Sequence, residues 1–415
     1  MAAQTSFSIT TYTIIAGLTL TVGLQGCTAE SQWRRALADG DRAMTEGKWD
    51  EAEKALTTAE QQAKALEATK EGPYMAASLD RLCHLYYRRG QLSQAEEQCR
   101  RGLDIREKTA GLRHPDTATS VIHLGNIYQA QRQYAQVESL LKRALAIRTE
   151  TLGPGNPDTA ATLVQLGDLY RETGRAESAR DAYQRALPGL EKILGLEHQR
   201  VADVLSSLGE ALVTTGHYDQ ARPTLQRALA LREKALGPNH PTVAGTLNNY
   251  GMLLAAEGAY ESAESVFLRV IEILEYHRGT QDVSVASSLS NLARVYELQG
   301  LYTKSELLHR QALDIREKAL GPKDPQVARS LSSLANVVVA EGRFAEAQDQ
   351  YRRAIQIYEH AKGHYQAAYA KTLKNYAALL KRRQQTDEAE QVEQKAATIS
   401  AQLAKESSAK TFTEQ

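Results

Sequence analysis

From about residue 31 onward, apolar side chains recur three and four positions apart, in runs broken by short polar turns. The stretch LVQLGDLYRETGRAESARDAYQRAL (163–187) shows the pattern: Leu166, Leu169 and Tyr170 share a face, a turn at Gly174 interrupts, and Tyr183 and Leu187 resume it. Such spacing predicts two amphipathic α-helices joined by a tight turn. The break after the second helix is just as regular. Residues 231–244 read LREKALGPNHPTVA and residues 315–328 read IREKALGPKDPQVA. Gly accepts the left-handed geometry past a helix end and Pro cannot continue the helix, so these phrases stop one helix and start another.

The spacing is a period of 42 residues. A small residue falls at Cys83, Gly125, Gly167, Gly209, Gly251, Ala293, Ala335 and Ala377, with Gly40 one residue off the beat at the front. Seven residues later a turn glycine follows, except where Arg132 and Gln384 hold the slot. Twelve residues after the first small residue stands another, as at Ala179 and Ala221, with Val137 the exception. Each repeat therefore reads as an αα-hairpin, which cannot bury both its faces alone and must stack on its neighbours. The expected fold class is all-α, with about nine antiparallel hairpins.

The leucine, Leu-Gly, Tyr, Ala and Ala slots of residues 163–187 resemble the tetratricopeptide repeat. The 42-residue length, the LGPxHPxVA loops and LNNYG (247–251) are similar to the kinesin light chain branch. This resemblance implies a right-handed superhelical solenoid over residues 27–402, with first helices lining a concave groove and extended peptides as ligands. Residues 1–26 stand apart as an export signal or anchor, and 403–415 as a polar, disordered tail.

Groove residues follow from helical geometry: the positions about three and two before the small residue and one after it. In the second half these give Asn248, Asn249, Asn291, Arg294, Asn336, Lys374 and Asn375, with Arg329 and Lys371 near their helix starts. Amides pair with both N–H and C=O of an extended backbone, and the cations suit its acidic side chains. The first half, with Asp80, Asp168, Asp203 and Glu210, is expected to be acidic.

Charge narrows the function. Fifty Lys and Arg balance fifty Asp and Glu, which argues against nucleic acid as a partner. No metal, cofactor or small-molecule motif is found, and no nucleophile, acid and base converge, so an enzyme is not expected. The loop histidines His114, His198 and His240 read as caps or turn residues.

Residues 13–27, TIIAGLTLTVGLQGC, are apolar and uncharged. The LQGC end resembles a bacterial lipoprotein box, which implies acylation at Cys27 and a periplasm-facing place in the envelope, at the outer membrane. An uncleaved membrane anchor or a plain apolar extension on a cytoplasmic adaptor are the other readings. Cys83 and Cys99 each lie eight residues from Gln91, at matched heights on paired helices. They read either as a disulfide or as two small buried hydrophobes. The functional expectation is a non-catalytic scaffold that binds a partner polypeptide, with a self-assembling or spacer component of an envelope complex as the alternative.

Overall fold

The computed structural model describes the backbone of residues 29–67, 72–361 and 365–412. The segment 1–26 and Cys27, on which the export reading rests, lie outside the described residues. Those described form eighteen helices and no strand. In order they are α1 (Ala29–Thr45), α2 (Trp49–Leu66), α3 (Pro73–Arg88), α4 (Leu92–Thr109), α5 (Pro115–Ala130), α6 (Tyr134–Leu152), α7 (Pro157–Glu172), α8 (Ala176–Leu194) and α9 (Gln199–Thr214). Then follow α10 (Tyr218–Leu236), α11 (Pro241–Ala256), α12 (Tyr260–Arg278), α13 (Val283–Leu298), α14 (Tyr302–Leu320), α15 (Pro325–Ala340), α16 (Phe344–His360), α17 (Gln366–Arg382) and α18 (Thr386–Phe412). Helix α18 runs past residue 402 to Phe412, so a helix continues where the sequence predicts a disordered tail.

The loop letters act as caps. His114, Asn156, His198, His240, Asp282 and Asp324 are N-caps whose side chains each accept the backbone N–H two residues on. Pro at the first helical position, as at Pro241 and Pro325, costs no hydrogen bond there. The preceding helices end on glycines such as Gly237 at φ 84° and Gly321 at φ 88°. Arg132 and Gln384, which replace the turn glycine, still adopt φ 61° and 60°. Backbone geometry is thus held even where the favoured residue is missing.

The described residues divide into two compact units, the first with α1 to α4 and the second with α5 to α18. In the first, Trp33, Leu37, Leu56, Met75, Leu79 and Leu82 form the core. Trp33 Nε1 donates to Ser78 Oγ at 2.9 Å, and the ring meets Tyr74 edge-on at 4.8 Å. A disulfide joins Cys83 on α3 to Cys99 on α4, with Cα atoms 5.3 Å apart. It occupies the place that a glycine and a large side chain share in other repeats.

The second unit is a superhelical stack in which each helix packs on the next. First helices also meet the first helices of adjoining repeats, as α9 meets α11, α11 meets α13, and α15 meets α17. Second helices approach their counterparts through long side chains instead. Arg227 reaches Glu191 (2.5 Å), Arg269 reaches Glu233 (2.8 Å), Arg353 reaches Glu317 (2.6 Å) and Lys395 reaches Glu359 (2.5 Å). Close backbones on one side and bridging ion pairs on the other place the first helices on the inner, concave face.

Candidate functional site

The amides of the concave face are engaged with one another. Asn291 Nδ2 donates to Asn248 Oδ1 at 2.8 Å, from α13 to α11. Asn375 Nδ2 on α17 donates to Asn336 Oδ1 on α15 at 2.9 Å, and Tyr351 also donates to that oxygen. Asn249 Nδ2 reaches the carbonyl of Ser206 on α9 at 3.3 Å. The sequence reading takes these amides as open to a ligand backbone, whereas one donor of each bonded pair already ties neighbouring first helices together. An amide has four hydrogen-bonding positions, so Asn291 and Asn375 keep an oxygen and a second N–H for other partners.

The cations differ in kind. Arg294, Arg329, Lys371 and Lys374 are exposed, and among the described residues none has a carboxylate within ion-pair distance. The pairing on the outer face shows how unusual that is, since Arg227, Arg269, Arg353 and Lys395 all have partners there. The structure therefore gathers four unpaired positive charges on the first helices α13, α15 and α17.

The acidic first half expected from sequence is largely neutralised from within. Asp80 does not face a groove: its side chain is buried and paired with Arg106 inside the first unit. Asp203 pairs with Arg232 at 2.8 Å, while Asp168 accepts the Tyr183 hydroxyl at 2.7 Å. Burial pushes the Asp168 carboxyl up despite the Tyr183 hydrogen bond. Burial and the Asp168 charge push the Tyr183 phenol well above its ordinary value. Burial works to lower Arg171, but Tyr183, Glu210 and Asp168 outweigh it and raise the guanidinium above its ordinary value. Sequence position alone marks these carboxylates as inward-facing but says nothing of their partners.

Several arginines escaped that reading. Arg106, Arg148, Arg232 and Arg316 share one register of the second helix, at multiples of 42 residues, where Leu190, Leu274 and Tyr358 stand in intervening and following repeats. Arg148 binds Thr119 Oγ1 (3.1 Å) on α5 and Thr162 Oγ1 (2.9 Å) on α7, so it bridges consecutive first helices. The cue in the sequence is a recurring charge in a slot that holds Leu190, Leu274 and Tyr358 elsewhere. Among the described residues no group of three or more His, Cys, Asp or Glu side chains is placed to hold a metal. None of the described helices is long and apolar enough to cross a membrane.

A tetratricopeptide repeat profile matches residues 74–150, 120–192, 193–275 and 284–360, more than half of the chain. The chain belongs to the tetratricopeptide repeat family. Its tetratricopeptide repeats are similar in fold to a tetratricopeptide repeat protein from Parabacteroides merdae, at 18% identity and TM-score 0.53, covering 72% of this chain and 97% of that one. A Rap protein solved in complex with competence and sporulation factor is 15% identical with TM-score 0.52, over 91% of this chain and 99% of the other. A putative kinesin light chain from Podospora anserina is 24% identical with TM-score 0.43, over 49% and 97% of the two chains. No curated protein matches the sequence.

Proposed function

We propose that this tetratricopeptide repeat protein is a non-catalytic scaffold that holds an extended segment of a partner protein along its concave face. The observation that carries this reading is the set of unpaired cations, Arg294, Arg329, Lys371 and Lys374, beside half-satisfied amides on adjacent first helices. An extended polypeptide supplies what both lack: backbone N–H and C=O groups for the amides and acidic side chains for the cations. Substituting Asn291→Ala, Arg294→Glu and Lys374→Glu together tests it. The triple variant retains its helical circular dichroism and melting temperature but loses partner capture; capture at the native level by a folded triple variant overturns the reading.

The scaffold is held at a bacterial envelope membrane through an acyl chain on Cys27. The apolar stretch 13–27 and its LQGC end support this. The Cys83–Cys99 disulfide fits an oxidising compartment. Palmitate incorporation that disappears in Cys27→Ser is the expected result, and recovery of unlabelled native protein in the soluble cytoplasmic fraction rejects it.

A further inference from the structure

Arg232 and Arg316 stand 84 residues apart in the same slot of equivalent helices, and both are at least nine-tenths buried. Around Arg232 the chain supplies a counter-charge: Nη2 donates to Asp203 Oδ1 at 2.8 Å, while Nη1 bonds the Thr242 carbonyl at 3.1 Å and the Thr246 hydroxyl. Around Arg316 the equivalent partners are hydroxyls only. Nη1 donates to Ser290 Oγ (2.9 Å) and Ser330 Oγ (2.6 Å), and Nη2 to Ser287 Oγ (3.2 Å). Ser287 stands where Asp203 stands, shorter and uncharged.

The next slot changes the balance further. Gly245, on the helix after Arg232, corresponds to Arg329 on the helix after Arg316. One repeat pair therefore holds a cation with its anion, and the other holds two cations with none. The serine protons are committed to helix carbonyls, Ser287 to Val283, Ser290 to Ala286 and Ser330 to Gln326, so these hydroxyls offer Arg316 only lone pairs. Burial and the neighbouring Arg329 charge together push Arg316 down to about 10. In the Arg316 register one repeat later, Tyr358 is 3% exposed and its hydroxyl has no partner. The Arg329 charge acts on that phenol as well.

A buried cation without a counter-ion is costly, and a carboxylate that reaches it makes a charge-assisted hydrogen bond of the strong kind. Ser287 is exposed, so its slot opens to the groove. We propose that Arg316 and Arg329 form an oxyanion subsite between α13 and α15, which takes one acidic side chain of the bound polypeptide in the position Asp203 holds on Arg232. The subsite rests on the groove reading and fixes the register of the ligand at one point.

The probe is a fluorescein-labelled tetraglutamate peptide, followed by anisotropy at low ionic strength, with inorganic phosphate as a competing anion. Ser287→Asp supplies the carboxylate from within, so binding falls about tenfold or more while the melting temperature holds or rises. Arg329→Gln, at an exposed position, weakens binding while the melting temperature holds or rises, since it removes a charge that repels Arg316. Gly245 has open space beyond its Cα, so Asp203→Ser with Gly245→Arg transplants the arrangement onto Arg232 and adds a second bound peptide. Equal binding by wild type, Ser287→Asp and Arg329→Gln overturns the subsite, as does failure of the wild type to bind. Binding of phosphate without tetraglutamate overturns the carboxylate assignment. Partner capture by the Asn291, Arg294 and Lys374 triple variant is a separate readout: unimpaired capture there, with tetraglutamate binding lost in Ser287→Asp, rejects the groove reading and leaves the subsite standing.

Discussion

The ring of Tyr183 fills the space that a side chain on Gly167 would need: a Cβ there would lie 2.6 Å from Cε1. The small residue of the first helix exists to admit the large residue sixteen positions later on the second. Gly251 faces Phe267 and Gly209 faces Leu225 in the same way. Gly167→Ala therefore forces the buried Tyr183 ring to move and destabilises the protein by roughly 1–3 kcal/mol. At Gly125 the nearest atom to an added Cβ is Leu140 Cβ at 3.9 Å. Gly125→Ala leaves stability unchanged or raises it by about 0.5–1 kcal/mol through helix propensity. In urea melts the midpoint of Gly167→Ala should fall while that of Gly125→Ala holds or rises.

Two turns are held in left-handed geometry by the wrong residue. Arg132 and Gln384 sit at φ 61° and 60°, where an L side chain costs roughly 1–2 kcal/mol and glycine costs little. Arg132→Gly and Gln384→Gly each raise the midpoint of thermal unfolding; a fall in both would show that their side chains contribute more than the strain removes.

The Cys83–Cys99 link closes a loop of sixteen residues in sequence separation. Reduction, or replacement of both cysteines by alanine, lowers stability by roughly 3 kcal/mol on the chain-entropy account. Free-thiol titration of the denatured protein checks the starting state. Differential scanning calorimetry with and without reductant then reads the loss.

Glu138 on α6 receives both guanidinium nitrogens of Arg175, at 3.0 and 2.7 Å, and the Lys142 ammonium at 3.3 Å. Burial alone would raise its pKa, but the two cations outweigh burial and hold it below the ordinary carboxylate value of 4.5. A depressed folded-state pKa means stability present above the unfolded value and lost as pH falls through the folded one. Glu138→Gln thus costs about 2 kcal/mol at neutral pH and progressively less as the pH falls through the depressed folded-state value. Melting curves of the two proteins should converge on acidification; a constant gap would assign the effect to packing.

Much of this architecture was legible because one grammar is repeated. Gly, Pro and the HP, NP and DP letters mark the helix ends, and Gly237, His240 and Pro241 do at atomic level what their spacing announces. The placement of Asn291, Arg294 and Lys374 on first helices was also legible, since the repeat fixes which helix each belongs to. What sequence could not give was the pairing. Asn248 with Asn291 and Asp80 with Arg106 depend on which side chain of a neighbouring helix lies opposite, and helical periodicity names a face without naming the partner across it. The buried arginines were hidden for a different reason: a charge on a helix is ordinarily read as solvent-facing, and only the fixed beat of Arg148, Arg232 and Arg316 separates them from surface arginines.

Among the described residues of the second unit, helices pack chiefly on their neighbours in chain order and on the first helices of adjoining repeats. A stack of this kind can melt repeat by repeat rather than all at once. The end at α18 is the weak one, since Glu393 lies exposed on Lys381 where other repeats insert Tyr351 or Phe267. The last hairpin should come undone first, and hydrogen exchange would see its amides released while those of α11 to α15 stay protected.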